Sequence, residues 1–161
     1  MSNGTTSNST TPRLEIGAMA PNFTLPTVTG GSVKRSSYRG RKHLALIVLP
    51  FVDLTSREYL EELRERYGEI RAEDGEVLVL VTDQGASAEG LRAAIEVPFP
   101  LLLDPGGVAA SRLLPDGASH GLIILDRYGA VWAQWALTGP PLPPVDEILA
   151  WMTVIDCQCV L

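Results

Sequence analysis

Two short apolar runs with an amphipathic segment between them constrain this fold more than any other feature of the sequence. Residues 44–49 read LALIVL and residues 77–81 read VLVLV, with no polar residue in either run. Runs of this length that do not alternate with polar residues are typical of strands buried on both faces. Such strands occur in parallel sheets that helices cover. The sequence therefore predicts an α/β fold.

The segment between the two runs has the pattern of a helix over residues 55–70. Thr55 and Glu58 match a capping box, in which the two side chains satisfy free backbone donors at a helix start. Apolar residues then recur at helical spacing: Tyr59, Leu60, Leu63, Tyr67 and Ile70. A strand, a helix and a second strand in this order predict a parallel pair joined by a right-handed crossover.

The rest of the chain continues the α/β pattern. We predict a helix over 87–96 that ends before Pro98, a short helix after Gly107, a hairpin of strands 122–125 and 130–137, and a last helix around 145–152. Four residues of the second hairpin strand are expected to share one face: Val131, Ala133, Trp135 and Leu137. The order of elements predicts a thioredoxin-like fold, a central mixed β-sheet flanked by helices.

Length and composition favour a single domain with two short ends. The chain has 161 residues and is 45% hydrophobic, enough for one sizeable core. Residues 1–12 are rich in Ser, Thr and Asn and predict a disordered N-terminal leader. The domain is expected over residues 13–155, followed by a C-terminal tail over 156–161 that holds Cys157 and Cys159.

The charge and the apolar pattern argue against several partners. A formal net charge of −6 repels phosphate backbones, so nucleic acid is not expected as a partner. No apolar run reaches the roughly 18–20 residues of a membrane span, and the leader has no apolar core like that of a signal peptide. We therefore expect a cytoplasmic protein without a membrane partner. No cofactor and no metal site are predicted.

Four segments, in order, resemble one known family. They are residues 16–26 (IGAMAPNFTLP), 37–42 (SYRGRK), 99–109 (FPLLLDPGGVA) and 123–129 (IILDRYG). Together they resemble the alkyl hydroperoxide reductase C/thiol-specific antioxidant family, the peroxiredoxins and their redoxin relatives. The resemblance extends over about residues 14–152. It implies a thioredoxin-like fold, an antioxidant oxidoreductase activity and a homodimer.

The resemblance also indicates where the family's active site falls in this chain. The family's cysteine corresponds to Ser56, Arg57 or Glu58, according to whether the count runs from Pro21, from Pro50 or from Thr55, and none of these is a cysteine. Peroxide reduction requires a thiolate that can be oxidised to a sulfenic acid.

Three further positions belong to the same degenerate site. Asp53 and Thr55 fall in its loop, and His120 matches the family's later active-site arginine or the cis-proline of thioredoxins. Ser56 could act as a nucleophile with His120 as its base, but it is more simply interpreted as a residue of the helix start.

The only thiols of the chain are those of Cys157 and Cys159. Four interpretations stay open: a redox-active pair, half of a metal site shared with a second chain, an interchain disulfide, or two unreactive cysteines. The leading hypothesis is a peroxiredoxin-like redoxin in which these catalytic cysteines exchange disulfides with a partner protein. The alternative is a non-catalytic module that binds a partner protein through the face around Asp53, Ser56 and His120.

Overall fold

A computed structural model describes residues 9–160, apart from the side chains of Ser9, Cys159 and Val160. The strands are β1 (Ser9–Thr10), β2 (Thr24–Pro26), β3 (Ser32–Lys34), β4 (His43–Leu49), β5 (Gly75–Val81), β6 (Leu101–Leu103), β7 (His120–Leu125) and β8 (Val131–Leu137). The α-helices are α1 (Leu54–Glu65), α2 (Tyr67–Ala72), α3 (Ala88–Ala94), α4 (Ala110–Leu113) and α5 (Val145–Val160). Two 3₁₀-helices span Arg35–Tyr38 and Pro105–Gly107.

The main sheet is mixed, with strand order β1-β8-β7-β4-β5-β6. Strands β4 and β5 are parallel in register from His43↔Gly75 to Leu49↔Val81, as the two apolar runs predict. Strand β6 extends the parallel part beyond β5, whereas β7 runs antiparallel to β4. The predicted α/β class with a central mixed sheet is confirmed.

The core lies on both faces of this sheet because alternate residues of each central strand point to opposite faces. Ala45, Ile47 and Leu49 of β4 pack with α1, α2, α3 and α5. Leu44, Leu46 and Val48 pack on the other face, with α4 and the segment that carries β2 and β3. Because both faces of β4 and β5 are buried, the sequences of these strands do not alternate between apolar and polar residues.

The last helix is longer than predicted and includes residues 156–160 of the segment that the sequence analysis assigns to a tail. Helix α5 continues to Val160, so positions 157 and 159 belong to a helix and not to a tail. Residues 153–160 contain no Gly or Pro that would end the helix, and Ile155 is fully buried against the sheet.

Other boundaries differ in smaller ways. The predicted helix over 55–70 is two helices, α1 and α2, with a break at Arg66, where the backbone leaves the helical region. A register shift between Ile124 and Leu125 moves Val131 into the opposite core cluster from Ala133, so these two residues do not share a face.

The predicted leader is only partly covered by the structure. Residues 1–8 lie outside the described residues, whereas Ser9 and Thr10 pair with Leu137 and Ala136 at the edge of the sheet. These two residues therefore correct the prediction of disorder through residue 12. No helix within residues 9–160 has the length and apolar character needed to cross a membrane.

Candidate active site at the β4–α1 junction

Five of the predicted site residues come together where β4 ends. Asp53, Thr55, Ser56 and Arg57 lie in the loop after Leu49 and the first turn of α1. His120 opens β7, the antiparallel neighbour of β4, and the pairing of Val48 with Gly121 places it beside the end of β4. The local fold thus brings His120 next to a helix N-terminus that is distant in sequence.

Asp53, not Thr55, caps helix α1. The Oδ1 atom of Asp53 accepts a hydrogen bond of 2.9 Å from the Ser56 backbone N–H, and the helix begins at Leu54. Hydrogen bonds from the backbone and side chain of Ser56 hold the pKa of Asp53 below its usual value. The predicted capping box is wrong because an extended Asp53 already supplies the oxygen that reaches the third helical N–H.

Loss of this cap has a measurable consequence. We expect Asp53→Ala to lower the free energy of unfolding by about 1 kcal/mol, because the Ser56 N–H loses its partner. The measurement is urea denaturation followed by circular dichroism. Asp53→Asn keeps an acceptor oxygen and serves as the control, with a loss of a few tenths of a kcal/mol at most. Equal losses in both variants would show that the charge, and not the cap, carries the effect.

A cleft of about 210 Å³ opens beside this cap. Its walls include Leu49, Ser56, Tyr59, His120, Pro141 and Leu142. The peptide bond between Pro140 and Pro141 is cis. Residues 140–144 read PPLPP, and no periodicity in this segment indicates a cleft wall.

The hydrogen bonds of His120 determine which of its nitrogens is protonated. Its Nδ1 lies 2.7 Å from Oγ of Ser119, and that oxygen lies 3.0 Å from the carbonyl of Thr138. The single Ser119 hydroxyl proton is donated to the carbonyl, so both bonds form together only if Nδ1–H donates to Oγ. Burial lowers the pKa of His120, against the opposing effect of Asp53. The neutral ring therefore leaves Nε2 as a bare acceptor.

The arrangement does not form a nucleophilic triad. The Ser56 side chain hydrogen-bonds to Asp53, and the hydrogen bond of His120 goes to Ser119 instead of Ser56. The histidine is therefore not placed as the base of Ser56 in the described residues. Among those residues no group of three His, Cys, Asp or Glu side chains is arranged to hold a metal ion.

The cysteines lie at the other end of the sheet. Cys157 is an exposed free thiol in the last turns of α5. The preceding residue, Asp156, lies 3.4 Å from Nε2 of His43 and 3.5 Å from Nη2 of Arg127. Because His43 opens β4 and the cleft lies beyond Leu49, about 20 Å of strand separates the two places. The structure does not bring the predicted cysteines and the other predicted site residues together.

The fully buried His43 predicts a pH dependence of stability. Burial lowers its pKa from the usual value of about 6.5, as it does for His120. The unfolded chain therefore protonates at His43 and His120 more readily than the folded chain does. The contribution of the two neutral histidines to the free energy of unfolding is fully present above about pH 6.5. It is lost as the pH falls toward the folded pKa values, by at most about 1.4 kcal/mol per pH unit for each histidine.

Urea denaturation between pH 7.5 and 5.5 measures this loss. The chain has only two histidines. We expect His43→Leu to show a smaller decrease than the wild type, because His120 is then the only histidine that titrates in this window. An unchanged pH slope in His43→Leu would contradict the assignment to His43.

Comparisons with known proteins agree with this architecture. The mitochondrial 2-Cys peroxiredoxin from Plasmodium falciparum is 21% identical, with 88% of this chain and 94% of that chain covered and a TM-score of 0.72. The peroxidoxin BcpB from Mycobacterium tuberculosis is 18% identical, with 89% and 99% covered and a TM-score of 0.74. A proposed thiol:disulfide interchange protein, DsbE, from Chlorobium tepidum is 22% identical, with 89% and 99% covered and a TM-score of 0.71.

At these identities the structural matches show a shared thioredoxin-like fold. No curated protein sequence matches the chain significantly. The sequence profile of the AhpC/TSA family, in contrast, matches residues 16–132, from the segment before β2 into β8. This match spans well over half of the chain and includes the β4–α1 junction together with His120. The chain therefore belongs to the AhpC/TSA family.

Proposed function

We propose that the protein is a peroxiredoxin-like redoxin of thiol-dependent redox metabolism, in which Cys157 and Cys159 carry thiol–disulfide exchange with a partner protein. The observation that supports this most is the exposed, free thiol of Cys157, in a chain with only two cysteines. The β4–α1 loop holds no thiol, so peroxide reduction through a sulfenic acid is not assigned to it.

The exchange balances with a partner disulfide as the oxidant. One thiolate attacks a sulfur of that disulfide, a mixed disulfide forms, and the partner's other sulfur leaves as a thiolate. The second cysteine then attacks the mixed disulfide and releases the reduced partner. Two electrons and two protons pass to the partner, and Cys157 and Cys159 become a disulfide. A reducing compartment such as the cytoplasm would return the pair to thiols.

Helix geometry adds one requirement to this exchange. Positions 157 and 159 are two residues apart in α5, which places them about 200° apart around the helix axis. Cysteines whose Cβ vectors point apart cannot be bridged without backbone movement. The last turn of α5 must therefore unwind before the two cysteines can form a disulfide with each other.

Intact-protein mass spectrometry with thiol alkylation tests the proposal. The reduced protein is incubated with an oxidised dithiol, then alkylated, and then treated with a dithiol reductant. We expect a reversible loss of two hydrogens confined to the peptide that contains Cys157 and Cys159. Two cysteines that remain fully alkylated after the oxidant would overturn the proposal. Circular dichroism of the oxidised form should show the helix loss that the geometry requires.

A second candidate function is supported by the cleft. It is a non-catalytic module that binds a partner through the face of Asp53, Ser56 and His120. The cleft, with its apolar walls and a bare imidazole nitrogen, favours this candidate, because it offers a binding surface that requires no thiol. A variant without cysteines separates the two candidates.

A further inference from the structure

The polar atoms of the cleft at the β4–α1 junction determine which ligand groups it can bind. Its hydroxyl and imidazole donors are already used inside the protein. The Tyr59 hydroxyl donates to the Pro143 carbonyl over 2.7 Å, and the Ser56 side chain hydrogen-bonds to Asp53. Nδ1–H of His120 donates to Ser119. Only the exposed Thr55 hydroxyl on the rim keeps a proton free to turn toward a ligand.

What remains on the cleft wall accepts hydrogen bonds. His120 is 7% exposed and lines the cleft, and with Nδ1 turned to Ser119 the opposite nitrogen, Nε2, faces the cavity. That nitrogen has no hydrogen-bond partner among the described residues. Because this acceptor is open to the cleft, a ligand that carries a hydrogen-bond donor can reach it.

The rim of the cleft is negatively charged. Glu58 and Glu62 lie one helical turn apart on α1 and both line the cleft. Within residues 9–160 neither forms an ion pair, whereas Glu61 on the same helix pairs with Arg57 at 3.6 Å. Like charges at this spacing repel each other and destabilise the helix unless a cation lies between them. No Lys or Arg lines the cleft.

The remaining walls are apolar. Leu49, Pro141 and Leu142 form them, with the ring of Tyr59, which burial and the Glu62 charge keep protonated by raising its pKa. An apolar slot that ends in acceptors and carboxylates is complementary to a short aliphatic stem that carries a positively charged donor group.

We propose that this cleft binds a primary alkylammonium group, as found on a lysine side chain or a free aliphatic amine. The stem lies against Leu49, Pro141 and Leu142, the ammonium donates to Nε2 of His120, and Glu58 and Glu62 balance its charge. This assigns a ligand to the binding face of the second candidate function, on which it rests, and it is independent of the thiols.

Nuclear magnetic resonance of the histidine rings tests the proposal, because the chain has only two histidines. The fully buried His43, about 20 Å of strand away, is the internal control. The probes are n-butylammonium chloride, n-butanol and sodium butyrate at pH 7.5 and constant ionic strength. We expect saturable shifts of the His120 ring signals with n-butylammonium alone, and no shift of His43. Equal shifts with n-butanol, or parallel shifts of both histidines, would overturn the proposal.

Substitutions on α1 provide the matched control. We expect the double variant Glu58→Gln, Glu62→Gln to weaken n-butylammonium binding about tenfold, which follows from two partly exposed ion pairs. Glu61→Gln removes one carboxylate from a position on the same helix that does not line the cleft, and it should leave binding within about twofold. Equal weakening in both variants would show that binding depends on the overall charge of α1 and not on the two cleft carboxylates, and it would overturn the proposal.

Two further titrations are needed. The first distinguishes a protein lysine from a free amine as the ligand, and the second distinguishes the cleft proposal from the thiol proposal. Nα-acetyl-lysine methylamide that binds more tightly than n-butylammonium identifies a protein lysine as the ligand, and weaker binding identifies a free amine. The titration is repeated with Cys157→Ser, Cys159→Ser, in which the cleft is intact. Absence of His120 shifts in both proteins overturns the cleft proposal while leaving the thiol experiment unaffected.

Discussion

Replacing Gly75 with alanine is expected to lower the free energy of unfolding by about 2–3 kcal/mol. Gly75 opens β5 under α2 and α5, where an added Cβ would lie 2.9 Å from the Ile70 carbonyl oxygen and 2.9 Å from Sδ of Met152. The Met152 side chain is flexible, but the Ile70 oxygen is backbone and cannot move without shifting α2. Urea denaturation followed by tryptophan fluorescence measures the effect.

Gly68 gives a matched control for this prediction. It lies in α2, only two residues before Ile70, and an added Cβ would meet no atom within 4 Å. Alanine is the better helix former there, so Gly68→Ala should raise the free energy of unfolding by about 0.5–1 kcal/mol. The two substitutions are chemically identical and should have opposite signs. A destabilising Gly68→Ala would contradict the placement of α2.

The second large effect is expected from the cysteines. The double variant Cys157→Ser, Cys159→Ser should lose thiol–disulfide exchange completely, because the chain has no other thiol. Insulin reduction or exchange with an oxidised dithiol, followed by alkylation, measures the loss. Stability should change little, since Cys157 is exposed and forms no disulfide. Exchange that survives in the double variant would contradict the proposed redox role of these residues.

The single variants Cys157→Ser and Cys159→Ser show which cysteine attacks the partner disulfide and which resolves the mixed disulfide. If one cysteine attacks and the other resolves, removing the resolving cysteine should trap a mixed disulfide with the partner, and removing the attacking one should prevent it. Trapping in one single variant alone identifies the attacking cysteine. Both variants keep the β4–α1 cleft, so the loss of exchange with preserved ammonium binding separates the redox function from the binding function.

The sequence indicates the fold well because the fold depends on local and repeated signals. The two apolar runs become β4 and β5, and the Asp126–Gly129 turn joins β7 to β8, as predicted. The first signal is an uninterrupted apolar run, which indicates a strand buried on both faces, and the second is the residue types of a turn. Both depend only on residues that are neighbours in the sequence. The range matched by the AhpC/TSA family profile, residues 16–132, contains both apolar runs and this turn.

Helix ends are harder to predict from the sequence, because they depend on competing contacts. Thr55 and Glu58 have the spacing of a capping box, yet Asp53 reaches the Ser56 N–H first and moves the start of α1. At the other end of the chain, burial of Ile155 continues α5 past the predicted tail and makes positions 157 and 159 helical. The sequence spacing of the two cysteines therefore does not show that their positions lie about 200° apart around a helix axis.

The sequence by itself determined the α/β class, the family, and the fact that the only thiols are Cys157 and Cys159. Only the tertiary structure decided which of the candidate residues meet. It places His120 beside Asp53 and Ser56, lines a cleft with Ser56, His120 and residues 140–142, and puts the cysteines at the opposite end of the sheet. The physical reason is that strand pairing and burial, which join residues far apart in sequence, set these distances, whereas local propensity sets only the elements that carry them.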